Sequence, residues 1–554
     1  MRRIKKGFGL NEPLRHADHR RPLTRREFIS QGFTAGAGTM IATSALGLFA
    51  NPRNAYAALS SDLDYLRGNA VCNIATAGAG KIPFICIDLA GGANISGSNV
   101  LVGGMGGQQD FLSTAGYSRL GLPGDMVPGV AEATPTATSN GDHVDTTLGL
   151  AFHSDSQFLQ GILEKATTAV GDINGAVIPA RSENDTGNNP HNPMYGIARA
   201  GAGGELLSII GSRSSISGAN SMAPSSMIDP TAPPTKVDRP SDVTGLVDTG
   251  DLLSVLGQAD AVAVMESMQR ITDKKFQRAG TGLSAAAEAA LEQNVSCEYV
   301  KSAALADQFG DPSTLNPDDR DAEAIIVGNG VDASGNPTSI FSTAEFDGDS
   351  EFRKTASVMK MVIDGFAGAG TITMGGYDYH TGDRATGEQR DLRAGRCMGA
   401  CLEYAAKKEV PLMLYVYSDG SVFSNGMLDD SVNGRGKGVW TGDNSSTAAS
   451  FFLVYNPPSN GGGASLQLLG ANAEENARHQ QIGWMRPDAS VETAATPAGN
   501  NVNLLVETVI LNYMALHGEQ GLFANSGYFP SNGLGNSSNW ENYIAFNQIV
   551  SSTI

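Results

Sequence analysis

The sequence of 554 residues has few cysteines, few basic side chains relative to acidic ones, and no evident internal repeat. Its five cysteines are too few and too scattered to describe a scaffold held by disulfides. The 38 basic and 57 acidic residues give a net charge of −19, and such a surface repels nucleic acid and anionic lipid. What remains is an acidic chain long enough for one large α/β domain with insertions, or for two domains.

Residues 1–57 carry the pattern of an export signal. The pair Arg25 and Arg26 precedes a weakly apolar, glycine-diluted run, and Ala57 closes a small-residue Ala-Tyr-Ala motif. This order is typical of export signals, and the paired arginines indicate the twin-arginine type. We expect cleavage after Ala57, the twin-arginine translocation machinery as a partner, and a mature protein in the periplasm or at the cell surface. An uncleaved membrane anchor is the alternative, which the short, glycine-rich run disfavours.

Removal of the signal makes the chain more acidic. The segment holds 10 of the 38 basic and 3 of the 57 acidic residues, so the rest keeps 28 and 54, a net charge of −26. No later apolar run is long enough to span a bilayer. We therefore expect no transmembrane segment after cleavage and no nucleic-acid partner.

Apolar runs alternate with amphipathic stretches along the mature chain. Continuous apolar runs predict buried strands at 81–90, 173–179, 371–374, 411–417 and 450–455. Helical periodicity predicts helices at 156–166, 248–256, 259–275, 283–308, 350–366, 384–408 and 503–516. The alternation predicts an α/β fold with a mostly parallel central sheet flanked by helices.

The predicted α/β domain runs from 58 to 520 and is followed by a C-terminal extension at 521–554. An insertion at about 212–349 interrupts it. The insertion combines helical stretches with two polar excursions, 212–245 and 309–349, of which the first lacks any periodicity. We expect 212–245 to be an exposed excursion or a lid rather than part of the core.

The segment 371–425 has the pattern strand, helix, strand, with polar side chains at both strand ends. Two strands joined through a helix of that length should be parallel neighbours, so that their carboxyl ends share one edge of the sheet. Open α/β sheets bind ligands at that edge. Asp378 and His380 after the first strand and Asp419 after the second should therefore converge. Two carboxylates and an imidazole suit a divalent metal ion.

A second interpretation of the same residues stays open. Asp and Gly after a strand are also common in turns, and Asp378 or Asp419 could instead cap the helix that follows. The small-residue turn from Asn94 to Asn99 could bring a hydroxyl or an amide to the sheet edge, or could be a loop without a function.

Taken together, the order of motifs resembles the DUF1501 family of exported proteins. The resemblance rests on the twin-arginine signal, the early strand ending in Gly91-Gly92, the Leu-Ala-Phe-His153 segment before a helix, the Gly375-Gly-Tyr-Asp378-Tyr-His380 motif and the strand end Ser418-Asp419. It covers most of residues 81–520. The family is grouped with the alkaline phosphatase-like superfamily of metal-dependent hydrolases that act on phosphate and sulfate esters.

The resemblance implies an alkaline phosphatase-like fold and one or two bound divalent ions, which would be zinc, manganese, calcium or magnesium. The ligands that it implies are Asp378, His380, Asp419, Asp88 and Asp443. Ser96 or Ser98 would supply a hydroxyl nucleophile, activated by the metal rather than by a histidine. The implied activity is hydrolysis of a phosphate or sulfate ester.

Several family residues are missing from this sequence. Val422 stands where the family has an arginine, the closing Asp-His-Gly reads Asp443-Asn-Ser, and the early Gly-Gly-x-Asp ends in Asn94. Arg181 and Arg393 are two candidate replacements for the lost cation. Because these losses remove candidate ligands and a phosphate-binding cation, the alternative function is a non-catalytic periplasmic or cell-envelope protein that keeps the fold for binding or a structural role.

Overall fold

A computed structural model describes residues 60–68, 80–182, 189–246, 258–278, 284–308, 315–318, 320, 325–462 and 480–550. The chain forms two compact units. The first comprises Met1–Ile74 and Val247–Asp311, and the second comprises Ala75–Leu246 and Pro312–Ile554. The predicted signal, including Arg25, Arg26 and Ala57, lies outside the described residues.

A seven-stranded mixed sheet forms the centre of the second unit, with strand order β4-β11-β8-β1-β7-β5-β6. The strands are β1 Phe84–Gly91, β2 Val144–Leu148, β3 Leu150–His153, β4 Ile173–Pro179, β5 Leu207–Gly211, β6 Thr235–Lys236, β7 Ala367–Tyr377, β8 Leu412–Ser418, β9 Val422–Asp429, β10 Lys437–Asp443 and β11 Ala449–Tyr455. β11 alone runs opposite to the other six strands of this sheet. β2 with β3 and β9 with β10 form separate two-stranded sheets. The predicted α/β fold with a mostly parallel sheet is confirmed.

The helices are α1 Ser61–Gly68, α2 Thr114–Arg119, α3 Gln157–Lys165, α4 Met194–Arg199, α5 Pro240–Gly245, α6 Gln258–Phe276, α7 Ala285–Gln308, α8 Thr343–Gly348, α9 Ser350–Ile363, α10 Arg384–Lys408, α11 Val502–Leu516 and α12 Ser537–Trp540. Short 3-10 helices span Val170–Asp172, Pro458–Asn460, Pro497–Asn500, Gln520–Leu522 and Glu541–Tyr543. Side chains alternate along each strand, so Phe84 and Cys86 of β1 point to one face of the sheet, where they join the apolar cluster of α4 and α11. Gly370 of β7 lies under Val358 and Val362 of α9.

The predicted neighbours β7 and β8 are parallel, but they are not adjacent. β1 lies between them and pairs with both. The prediction was wrong because consecutive strands only tend to be neighbours, whereas β1 is apolar on both faces and takes a position where both of its edges are hydrogen bonded. The carboxyl ends of β1, β7 and β8 still share one edge of the sheet.

The polar excursion 212–245 is not simply exposed, as the sequence had suggested. Ala219, Met227 and Val237 are buried, and β6 extends the edge of the sheet beside β5. These apolar residues are isolated in the sequence and do not recur with the period of a helix or a strand. Hydrophobic periodicity therefore could not predict their burial.

The first unit is helical where it is described. Leu63 of α1, Val262 of α6, and Val300 and Ala303 of α7 form its small apolar core. The predicted helices at 259–275 and 283–308 are confirmed as α6 and α7, whereas the helix predicted at 248–256 lies outside the described residues. No helix in the described ranges combines the length and the apolar character needed to cross a membrane.

Cysteine usage is mixed. Cys86, Cys397 and Cys401 are free and buried, in line with a role in packing. Cys297 is disulfide-bonded, which the sequence pattern had not indicated. The fifth cysteine, Cys72, lies outside the described residues.

Candidate metal site

Three of the predicted ligands converge beyond the carboxyl edge of the sheet. Asp378 and His380 follow β7, and Asp443 ends β10. One ligand atom from each lies within 4.8 Å of the others. His380 Nε2 is 2.8 Å from Asp378 Oδ1 and 3.7 Å from Asp443 Oδ1. The three side chains keep between 28 and 56 % of their surface exposed, so the cluster is open to solvent on one side.

Buried tyrosines orient the segment that carries Asp378 and His380. Tyr377 and Tyr379 are almost completely buried. The Tyr377 hydroxyl donates to the backbone oxygen of Arg390, at 2.8 Å. Side chains alternate along an extended segment, so burial of both tyrosines turns Asp378 and His380 outward.

A polar network holds Tyr379 in place. Its hydroxyl accepts the backbone N–H of Asn94 at 2.8 Å and donates to Asp391 Oδ1 at 3.2 Å. Asp391 also accepts Asn99 Nδ2 at 2.8 Å. Burial, together with the nearby Glu388 carboxylate, raises the pKa of Asp391 to about 8.

Close backbone packing between β1 and β7 requires a glycine. Gly91 has φ of 136°, and a side chain there would collide with the backbone nitrogen of Asp378. The next residue, Gly92, donates its N–H to the backbone oxygen of Tyr377 at 3.1 Å. The early Gly-Gly pair therefore serves to bring the ends of two strands together.

Asp443 comes from the hairpin formed by β9 and β10. The hairpin is joined to the segment after β7 by the backbone N–H of Gly382, which donates to the backbone oxygen of Trp440 at 2.7 Å. Trp440 itself is buried. The two halves of the cluster are thus connected through main-chain contacts only a few residues away from the ligands.

Asp88 and Asp419 do not join this cluster. Asp419 is buried, and it accepts the backbone N–H of Gly91 at 2.8 Å and Asn220 Nδ2 at 3.2 Å. Asp88 Oδ2 accepts the backbone N–H of Asn220 at 2.7 Å and the Thr373 hydroxyl at 3.0 Å. Burial raises the pKa of Asp88 to about 6, against the opposing effect of those hydrogen bonds. Both carboxylates thus serve as acceptors within the fold.

The predicted nucleophiles are also buried. Ser96 is 1 % exposed and donates to the backbone oxygen of Thr447 at 2.6 Å. Ser98 is 1 % exposed, and its hydroxyl accepts Asn94 Nδ2. Both hydroxyls are occupied by contacts of their own turn or of a neighbouring loop, and neither presents a free face to solvent.

The two candidate arginines are in different surroundings. Arg181 Nη2 lies 3.3 Å from the Ser445 hydroxyl, two residues after Asp443. Arg393 pairs instead with Asp349, at 3.8 Å. Of the two, Arg181 is next to the loop that follows a cluster residue.

Some residues of this region had no signal in the sequence. Asn220 connects Asp88 to Asp419 from within the excursion 212–245, which the pattern had described as exposed. Lys437 has no surface accessible to solvent, although Lys near a Gly-rich turn normally indicates an exposed residue. A polar residue without periodic neighbours gives no indication of burial, so these roles become visible only in three dimensions.

Neither a protein-family model, nor a curated protein, nor a solved structure matches this chain.

Proposed function

We propose that this is an exported member of the DUF1501 family with an alkaline phosphatase-like fold, that it binds a divalent metal ion through Asp378, His380 and Asp443, and that it hydrolyses a phosphate or sulfate ester there. The observation that carries the proposal is the convergence of two carboxylates and one imidazole within 4.8 Å at the ligand-binding edge of a parallel sheet.

The donor set suits zinc or manganese and also admits magnesium or calcium. Three protein ligands with an open side are typical of catalytic rather than structural zinc sites. When bound, such an ion polarises an ester oxygen and lowers the pKa of a coordinated water. Asp378, His380 and Asp443 hold the ion, while the solvent-exposed side of the cluster admits the ester.

Water is the attacking group in this proposal, not a serine. Ser96 and Ser98 are 1 % exposed each, and their hydroxyls are engaged with Thr447 and Asn94. A nucleophile that formed a covalent intermediate would have to reach the ester from the open side of the cluster. This part of the proposal departs from what the family resemblance implies.

Arg181 is the cation that we assign to the anionic group of the ester. Its Nη2 atom donates to the Ser445 hydroxyl at 3.3 Å, in the loop that follows the cluster residue Asp443. A guanidinium is suited to a phosphate or sulfate oxygen. Arg393 is less suitable because it pairs with Asp349.

Export is supported by the signal pattern and by the cysteines. Cys297 is disulfide-bonded, and disulfides persist in oxidising compartments such as the periplasm. The proposed partner is the twin-arginine translocation machinery, and the proposed location is the periplasm or the cell surface. The net charge of −26 after cleavage argues against a nucleic-acid partner.

A second candidate is a non-catalytic metal-binding protein of the cell envelope. The buried serines favour it, since the family-like hydroxyl nucleophile has no access to solvent. The two candidates share the metal site and differ only in turnover.

An ester-hydrolysis screen separates them. The mature protein, loaded with zinc or manganese, is assayed on p-nitrophenyl phosphate and p-nitrophenyl sulfate beside Asp443→Asn and the control Asp430→Asn, which alters an exposed carboxylate of the same hairpin. We expect turnover that is lost in Asp443→Asn and kept in Asp430→Asn. Metal binding without turnover on any ester would favour the non-catalytic candidate, and activity that survives in Asp443→Asn would refute the assignment of the site.

A further inference from the structure

A group of five charged side chains lies between the start of α10 and the β9–β10 hairpin, and we refer to it as the charged core. Its members are Asp155, Arg384, Glu388, Arg435 and Lys437. The side chains of Arg384 and Lys437 have no surface accessible to solvent, and that of Glu388 keeps only 5 %. Charges this deeply buried are rare unless they are paired.

The carboxylate of Glu388 is shared between helix and hairpin. It is 2.6 Å from Arg384 Nη2, one turn earlier on α10, and 2.9 Å from Lys437 Nζ at the start of β10. Lys437 Nζ also donates to the backbone oxygen of Asp155 at 2.7 Å. Arg435 donates from Nε to the Asp155 carboxylate at 2.9 Å.

Trp440 extends the connection along β10. The Arg384 guanidinium lies 4.4 Å from the centre of the Trp440 ring, and Arg384 Nη1 is 3.4 Å from the backbone oxygen of Gly438. Gly121 packs so closely against both side chains that a Cβ there would lie 2.6 Å from Arg384 and 2.8 Å from Trp440. The first half of β10 is therefore attached to α10 at Lys437, Gly438 and Trp440.

Stability alone is a poor explanation for this arrangement. The cost of removing two charges from water can exceed their attraction, and buried ion pairs are often no more stable than well-packed apolar residues of similar volume. Such groups are better attested as devices that select one register or one arrangement. The hairpin is an element in which register matters.

A two-stranded hairpin is only marginally stable by itself and has no wider sheet to fix its alignment. The pairing of β9 with β10 also changes register on both sides of Trp440. A slip of one residue would move Asp443 by about 3.3 Å and turn its side chain to the other face. Metal coordination tolerates errors of only about 0.2 Å in ligand distance.

We propose that the charged core fixes the register of β10 and thereby holds Asp443 opposite Asp378 and His380, so that Glu388 and Lys437 are positioning residues of the metal site. The inference rests on the proposed metal site. In this proposal a buried charged network, which includes none of the three ligands, holds the two halves of the metal site together.

The test compares two double variants that remove the same charges. The double substitution Glu388→Gln with Lys437→Met breaks the ion pair between helix and hairpin. The amide oxygen at position 388 can still accept a hydrogen bond from Arg384, and Asp155 keeps its ion pair with Arg435. Glu164→Gln with Arg396→Met is the control, because that pair also attaches α10 to a neighbouring element, here α3, at 2.6 Å, but is about one-third exposed. Zinc and manganese affinities are measured by calorimetry, and amide exchange of residues 422–443 is followed by mass spectrometry.

We expect the charged-core variant to bind either metal 10- to 100-fold more weakly than wild type, as for other residues that orient ligands, and to exchange the 422–443 amides faster. The control should match wild type in both. A purely structural role predicts lower thermal stability with unchanged affinity of the folded protein. If the double variant does not fold, Arg384→Met, which keeps the pair of Glu388 with Lys437, should show a smaller loss in the same direction.

The outcomes separate this inference from the proposed function. If wild type binds metal and both charged-core variants keep its affinity, the positioning role is wrong and the site stands. If wild type binds none of zinc, manganese, magnesium and calcium on titration, the proposed function fails, and the register role is judged by amide exchange alone. In that case, unchanged exchange of 422–443 in the charged-core variant would overturn the inference as well.

Discussion

Replacing Asp88 with asparagine should stabilise the protein at alkaline pH. Asp88 is completely buried on the central strand β1, and its Oδ2 atom accepts hydrogen bonds from the Asn220 backbone and the Thr373 hydroxyl. Its Oδ1 atom is buried without a hydrogen-bond partner in the described part of the chain. An amide keeps an oxygen for the two donors and carries no charge, so it removes the cost of burying an ionised group.

The expected size follows from the pKa of the carboxyl. Burial raises the pKa of Asp88 from 3.8 to about 6. Because one unit of pKa corresponds to about 1.4 kcal/mol, the difference is worth up to about 3 kcal/mol. A carboxyl with a raised pKa contributes stability that is present below about pH 4 and lost as the pH rises through 6. Between these values the folded state holds a proton that the unfolded state has already released, so a rise in pH favours unfolding. Asp88→Asn should match wild type near pH 4 and exceed it by up to about 3 kcal/mol at pH 8.

Urea unfolding at pH 4 and pH 8, followed by circular dichroism, measures this difference. Asp430→Asn, at an exposed position in the hairpin turn, is the control and should show no pH-dependent change relative to wild type. A variant that is less stable than wild type at pH 8 would refute the reasoning. It would mean that the ionised Asp88 carboxylate gains a favourable partner, such as a cation, that outweighs its burial.

Two further predictions concern the proposed reaction. Ser96→Ala should keep hydrolysis within about tenfold of wild type, since removal of a true nucleophile costs several orders of magnitude; a loss of that size, with metal content unchanged, would restore serine as the nucleophile. Arg181→Gln should raise KM for an anionic ester roughly tenfold or more, as expected when a charged hydrogen bond worth about 1.5–3 kcal/mol is lost, whereas Arg393→Gln should not. Equal effects of the two arginine substitutions in steady-state kinetics would contradict the assignment of Arg181.

The elements of the fold were largely predictable from local patterns. The helix predicted at 384–408 is α10 with the same bounds, and the strand at 173–179 is β4, because apolar periodicity reports burial directly. The order of strands was not predictable in the same way. The insertion of β1 between β7 and β8 depends on contacts between distant segments, and no local pattern carries that information.

The candidate site was predictable in part. Asp378 and His380 follow from the rule that side chains after parallel strands meet at one edge, whereas Asp443 was suggested only by the family resemblance. Asp419 obeys the same rule, yet its carboxylate faces the backbone N–H of Gly91 and is used within the fold. The direction of a side chain after a strand depends on one or two backbone angles, and the residue type does not reveal these.

The central claim is a metal ion held by Asp378, His380 and Asp443. The most direct test is elemental analysis of residues 58–554 purified without chelator, together with His380→Ala, Asp443→Ala and the control Asp430→Ala. The account predicts about one zinc, manganese, magnesium or calcium ion per chain in wild type and in the control, and a large loss in the two ligand variants. A wild-type protein that carries no metal and takes up none on titration would contradict it.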